Sequence, residues 1–225
     1  MKKITLDNFE LTFIKRKKQK NIRLSINNKN QIILSAPLFC TDKTAKDFAI
    51  KHLNWIKEKI TTSNKLQTFA NHDIVTILGT TYKINHNINH PSYVKIIDNE
   101  IQIGGEEKFI HRKVSNFTKK ELLAYIQKKA FSMAKIINKK PNRISLKSTT
   151  SRWGSCSSQN NLNFCWKIGF APLFVIDYLI AHEVSHLKEM NHSPQFWKTV
   201  SLLDVKQAEA EIWLRKNGKT LINIV

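Results

Sequence analysis

Apolar and polar residues alternate over 9–14, 22–26 and 32–35, a period of two that predicts three strands with one face of each on a core. A turn is expected at 27–30, and Pro37 closes the last strand. Over 42–60 the period changes. Ala45, Phe48, Ala49, Leu53, Ile56 and Ile60 recur at helical spacing with lysines between them, so a helix capped by Asp42 is expected to pack on the first sheet. Residues 61–73 are polar and read as a connector. Short alternating segments follow at 74–78, 82–85, 93–97 and 100–103, with turns at Gly79-Thr80 and Asp98-Asn99. Gly104-Gly105 marks a boundary between a β-rich region, 1–105, and a second domain, 106–225, which can share a sheet.

In the second half Thr118 and Glu121 have the spacing of a capping box, and Leu122, Leu123, Ile126, Ala130, Met133, Ala134 and Ile137 form one face of the helix it starts. Strands are expected at 144–147 and 162–168, the second with Asn163, Cys165 and Lys167 on its other face. Between them Arg152-Trp-Gly-Ser-Cys156 forms a loop or sheet edge, where Gly154 permits close backbone approach. A core helix opens at Pro172, carries Val175, Ile176, Leu179 and Ile180 as its buried stripe, and runs to about Met190, with Asn191 as a left-handed stop. Ser193-Pro194 starts another helix bearing Phe196 and Trp197. Residues 201–216 give one or two more, with Leu202, Leu203, Val205, Ile212 and Trp213 as core and Gly218 as the end. The fold class is α+β.

The core helix carries the chemistry. His182-Glu183-Val184-Ser185-His186 puts two imidazoles four residues apart, stacked on one helical face, with a carboxylate beside the first. Imidazole nitrogens are good zinc ligands, and a carboxylate near the metal but off it can take a proton from the attacking water, which is the logic of the H-E-x-x-H signature. His192, held at a turn, completes the spacing H-E-x-x-H-x-x-G-x-x-H, with Glu189 where that pattern has glycine. Three protein ligands and one water make a catalytic zinc site, whereas structural zinc takes four protein ligands. Glu209 or Glu211 is the alternative third ligand. Asp204 is a candidate acceptor for a ligand imidazole N–H. Tyr178, one turn before His182, is expected to pack beneath the site. Arg152 is a candidate for holding a carboxylate or phosphate, for stabilising an oxyanion, or for a structural ion pair.

Residues 151–156, 172–178 and 182–197 together resemble the YgjP-like metallopeptidase family, a relative of the SprT-like zinc peptidases. The resemblance extends more loosely to the basic run 15–20, the strand pair ending at Pro37 and the helix containing Asn54-Trp55-Ile56. It implies a zincin-like C-terminal domain, its active-site helix packed on a small sheet, with zinc on His182, His186 and His192 and Glu183 as the catalytic residue. Members are filed both as peptidases and as metal-dependent hydrolases of nucleoside triphosphates such as UTP. The functions to weigh are therefore a zinc peptidase, a nucleoside triphosphate pyrophosphatase, and a non-catalytic metal-stabilised nucleic-acid-binding protein. Glu183 counts against the last, since a structural site needs no carboxylate there.

Composition narrows the setting. A chain of 225 residues, 41% of them hydrophobic, is enough for one large core or two small ones. The start has no unbroken apolar segment and no later run reaches membrane-spanning length, so a cytoplasmic protein without a membrane partner is expected. Cys40, Cys156 and Cys165 are odd in number and lack C-x-x-C spacing, so they read as reduced thiols. The net charge of +20 would attract polyanions. Only six of the 37 basic residues are arginine, the residue suited to bidentate phosphate recognition, so the charge favours diffuse, non-specific nucleic-acid attraction over a built site. Lys15 to Lys20 reads as a solvated hairpin end, and His72, His86, His90 and His111 as surface histidines.

Overall fold

The computed structural model describes residues 2–6, 9–26, 31–57 and 67–224. The backbone divides into two compact units, Met1–Leu66 and Gln67–Val225. The first is built on β1 (Lys2–Leu6), β2 (Phe9–Lys15), β3 (Arg23–Ile26) and β4 (Ile32–Ala36), in the order β1-β2-β4-β3. The outer pairs are antiparallel and β2 runs parallel to β4. Strand β4 thus lies between β2 and β3, so the lysine-rich stretch 15–20 begins a crossover and is not a hairpin end. Alternation reports which face of a strand is buried, not which strand lies beside it.

Helix α1 (Asp42–Lys51) packs on this sheet through Ala45 and Ala49, in one core with Leu11, Phe13, Ile32 and Leu34. Its cap is Thr41 and not Asp42: the Thr41 hydroxyl accepts from the Thr44 N–H at 3.1 Å. Asp42 is the first helical residue, where its charge suits the helix N-terminus, and it pairs with Lys2. The helix stops at His52, and helical turns resume over 53–57. The expected turn at 27–30, the expected helix end at 58–60 and residues 61–66 of the connector lie outside the described residues.

The second unit opens with the same strand plan. Strands β5 (Ile74–Ile77), β6 (Thr80–Asn87), β7 (Val94–Ile97) and β8 (Glu100–Gly104) take the order β5-β6-β8-β7, again with the middle pair parallel. Leu78 and Gly79, then Asp98 and Asn99, have positive φ, the backbone a two-residue type I′ turn requires. The first turn therefore sits one residue earlier than Gly79-Thr80. Gly104-Gly105 falls inside this unit: Ile101 and Ile103 before it share one core with Ile110 and Val114 after it. At Gly104 a Cβ would come within 2.0 Å of the Pro91 carbonyl oxygen, so this glycine serves close packing at a strand end.

Helix α2 (Ile110–Ile136) begins eight residues before Thr118. Thr118 caps nothing; it is buried in mid-helix and donates its hydroxyl hydrogen to the Val114 carbonyl at 2.9 Å. The stripe Ile110, Val114, Thr118, Leu122, Ile126, Ala130 steps by four residues along the whole helix, and one satisfied hydroxyl in it is tolerated.

A three-stranded sheet follows, β9 (Arg143–Lys147), β10 (Gly154–Cys156) and β11 (Asn161–Cys165), in the order β10-β11-β9 with β9 and β11 parallel. The expected strand to 168 ends at Cys165, and Trp166–Phe170 is a buried 3₁₀ turn. Three helices close the unit: α3 (Leu173–Ser185), α4 (Pro194–Leu202) and α5 (Gln207–Ile222). Gly218 does not end α5; it is buried within it, where a Cβ would meet the Trp153 ring at 3.1 Å. The break between α4 and α5 gives α5 its own register, so Ala210 and Leu221 are buried while Leu202 and Ile212 are exposed. His111 and His86 are half-buried and structural, not surface groups. The first accepts the Phe69 N–H at 3.1 Å and stacks on its ring, and the second pairs with the Gly105 carbonyl. No helix among the described residues is long and apolar enough to cross a membrane.

Leu122 is fully buried at the centre of the α2 stripe. Leu122→Ala should destabilise the protein by about 2–5 kcal/mol in urea unfolding, and the exposed Lys128→Ala on the same helix by less than about 0.5 kcal/mol.

Candidate metal centre

Helix α3 is held by its apolar residues: Val175, Ile176, Leu179, Ile180 and Ala181 are buried. Its first turn hangs from the Pro172 carbonyl, which accepts from the Val175 and Ile176 N–H groups. The helix ends at Ser185, earlier than the expected Met190, because Leu187 and Lys188 bond three residues back and tighten the spiral. His186 keeps helical φ and ψ, so it remains over His182, their ring centroids 5.0 Å apart. Asn191 is not among the residues with positive φ; the chain leaves by turns through 186–188 instead. Ser193 caps α4 as expected, accepting from the Phe196 N–H at 3.3 Å with Pro194 in the first turn. That short link delivers His192 to the other two imidazoles.

The three side chains converge. Their ligand nitrogens all lie within 4.8 Å of one another, and Nε2 of His192 faces Nε2 of His182 at 3.0 Å. His186 donates from Nδ1 to the Glu189 carbonyl at 2.9 Å, which leaves Nε2 with the lone pair. Because a backbone oxygen does this, the glutamate at the pattern's glycine position leaves the histidine geometry intact. Burial, then the neighbouring imidazoles of His186 and His192, pushes the His182 pKa down to about 4, and burial lowers that of His186. Neutral imidazoles are the form that ligates metal. Tetrahedral zinc with Zn–N of about 2.0–2.1 Å needs nitrogens about 3.3 Å apart; the 3.0 Å pair is near that spacing, and small side-chain rotations would close the rest of the set on an ion.

Sequence reasoning missed the floor of the site. Phe196 is fully buried, and its ring lies 5.0, 4.5 and 4.7 Å from those of His182, His186 and His192. Trp197 adds a second wall, 6.0 and 5.8 Å from His182 and His192. The signal was two aromatics just after the capping Ser193-Pro194, but nothing local says which way they turn.

Neither alternative third ligand joins the cluster. Glu211 accepts from the Tyr178 hydroxyl at 2.8 Å and from Gln207 at 3.0 Å, and Glu209 pairs with Lys206 at 3.4 Å. Tyr178 packs as expected, buried with its ring 6.0 Å from that of His182. Asp204 is exposed in the turn after α4, and the ligand imidazole N–H finds the Glu189 carbonyl instead. Cys156 and Cys165 are unpaired thiols. Cys156 shares a strand face with Gly154, while Cys165 points to the opposite face, so they cannot act as a metal pair.

Glu183 is 5% exposed and lies against the edge strand, where a Cβ on Gly154 would stand 2.4 Å from its Oε1. Burial pushes its pKa from 4.5 up to about 8, against the opposite pull of the Arg152 guanidinium. Arg152 is exposed and makes no ion pair among the described residues; its guanidinium acts on Glu183 through space. The Cys156 thiol is likewise raised, to about 11, by burial and then by Glu183.

Three converging imidazoles on a buried helix, with a carboxylate beside them and off the cluster, are the donor set of a metal-dependent hydrolase. A family model described as YgjP-like, metallopeptidase domain, matches residues 20–217, and the chain belongs to that family. Membership brings a metal, usually zinc, and hydrolytic chemistry. No curated protein and no solved structure matches the chain.

The raised Glu183 pKa fixes the sign of a pH effect on the metal-free protein. Between about pH 4.5 and 8 Glu183 holds a proton in the folded state that it has lost in the unfolded state, so its own contribution to stability falls as pH rises through that window. Below about pH 6.5 the lowered His182 and His186 act in the opposite sense, so urea titrations of metal-free protein should show the decline between about pH 6.5 and 8, and Glu183→Gln should abolish it.

Proposed function

We propose that the chain is a zinc-dependent peptidase in which His182, His186 and His192 hold the metal and Glu183 is the general base. The observation that carries this reading is the buried Glu183 carboxylate, pressed between the three-imidazole cluster's own helix and the side-chain-free backbone of Gly154. Zinc bound there would supply a Lewis acid for the attacked carbonyl oxygen and lower the pKa of the attacking water to about 7. Glu183 would take that water's proton and pass it to the leaving amine. A nearby cation and Arg152 both favour the ionised carboxylate, the form able to accept it. Phe196 and Trp197 keep the imidazoles in one orientation and exclude water from their outer faces.

Strand β10 supports a peptide over other substrates. It is an edge strand, and the bonds Cys165 N–H to Trp153 C=O and Ser157 N–H to Asn161 C=O set the alternation along it. By that alternation Ser155 bonds inward to β11, and the backbone groups of Gly154 and Cys156 point outward. An extended peptide adding to this edge would lay its backbone beside Glu183. Phosphoanhydride hydrolysis would use the same base but gains nothing from a strand edge.

Zinc-loaded protein incubated with unstructured proteins and, separately, with nucleoside triphosphates distinguishes the two. We expect peptide products, and a Glu183→Gln variant that keeps its zinc and fold while losing about 10²- to 10⁴-fold in turnover. Release of pyrophosphate with no peptide cleavage would replace the peptidase reading. Full peptide turnover in Glu183→Gln would refute the proposed role of Glu183.

A further inference from the structure

The face of the β10-β11-β9 sheet turned away from Glu183 holds a cavity of about 350 Å³, whose lining includes Lys147, Thr149, Arg152, Ser155, Asn163 and Cys165. A Cβ on Gly154 would point at Glu183, so Ser155, the next residue along β10, points to the other face. The register sets Asn163 beside Ser155 and Cys165 beside Lys147 on that same face. The chemistry there is one-sided. Lys147 and Arg152 bring two cations, and among the described residues no Asp or Glu lines the cavity. Asn163 accepts from the Ser145 hydroxyl at 2.7 Å through Oδ1, so its amide N–H groups are what it offers to a ligand. Cys165 is buried, with Sγ 3.3 Å from the Thr149 carbonyl oxygen, and closes the floor.

A peptide lying along β10 has side chains that alternate between the two faces. The residue opposite Gly154 faces Glu183, and its neighbour opposite Ser155 faces the cavity. We propose that this cavity is a substrate subsite for an acidic side chain, Asp or Glu, at the position next to the one opposite Gly154. The inference rests on the peptidase reading and deepens it, naming substrates with a carboxylate one residue from the one that meets Glu183. Arg152 lies within electrostatic range of both that subsite and Glu183, so a bound carboxylate would draw on the same guanidinium that acts on the base.

The test uses C-terminally amidated peptides that differ only in carrying Glu or Gln at each position in turn. Binding to zinc-loaded Glu183→Gln, whose cleavage should be about 10²- to 10⁴-fold slower, is measured by fluorescence anisotropy, and cleavage by the parent enzyme is followed in parallel. At one position Glu should bind about fivefold tighter than Gln, the scale of a single solvent-accessible charge pair, and the advantage should shrink with added salt. Lys147 is exposed on β9, on the sheet face turned away from Glu183, so K147E should fold and remove the preference for Glu. K147Q should reduce that preference without reversing it. Equal binding of Glu and Gln at every position, or a preference that K147E leaves unchanged, overturns the subsite. So does a preference seen only with a free C-terminal carboxylate. A Lys147-dependent preference for Glu without cleavage by the parent would uphold the subsite and overturn the peptidase reading.

Discussion

The second unit depends on how tightly helix α3 is pressed against the edge of a small sheet. Gly154 lets the backbone of β10 approach the Glu183 carboxylate to a distance that any side chain would forbid. The same approach buries Glu183 while its neighbour His182 stays on the face shared with His186 and His192. Burial in this position works against the charge of Glu183, His182 and His186, raising the carboxylate and lowering the two imidazoles. A divalent cation held by the imidazoles would resolve that tension, because it needs neutral nitrogens and favours an ionised carboxylate nearby. Burial of these groups costs the metal-free protein stability, a trade common at functional sites.

The packing around α3 extends this constraint outward. Trp153, beside Gly154 in sequence, reaches α5 at Gly218, and Tyr178 on α3 reaches the same helix through Glu211. Asp177, the residue before it, accepts from Tyr125 and Lys129 of α2. Adjacent side chains of one helix are thereby anchored to the helices on either side, so rotation of α3 would break both contacts. The strand plan that opens each unit, an outer strand pair on each side of a parallel centre, is followed in each by a helix that packs on it, and in the second unit that helix is α2.

The three-histidine cluster was legible in the sequence because it is local. A four-residue interval fixes His182 over His186, a six-residue interval followed by the capping Ser193 returns His192 to them, and an apolar stripe before the motif places it in a core helix. The alternating segments gave most strands for the same reason. What could not be read were relations between distant segments: that β4 sits between β2 and β3, that β1 joins the first sheet, and that the strands before Gly104 share a core with α2. Thr118 misled because a threonine three residues before a glutamate looks the same at a helix start as in a helix interior with its hydroxyl bonded to Val114. Gly218 looked like a stop, although its missing side chain is needed where Trp153 packs. Phe196 went unrecognised as the floor of the site, since an aromatic residue carries no mark of what it touches.

Zinc K-edge X-ray absorption on the metal-loaded protein tests the central claim most directly, since it counts and identifies the atoms around the ion. The account predicts three imidazole nitrogens and one oxygen at about 2.0–2.1 Å, with one imidazole lost in His192→Ala. A sulfur neighbour at about 2.3 Å, or a spectrum that His192→Ala leaves unchanged, would contradict it.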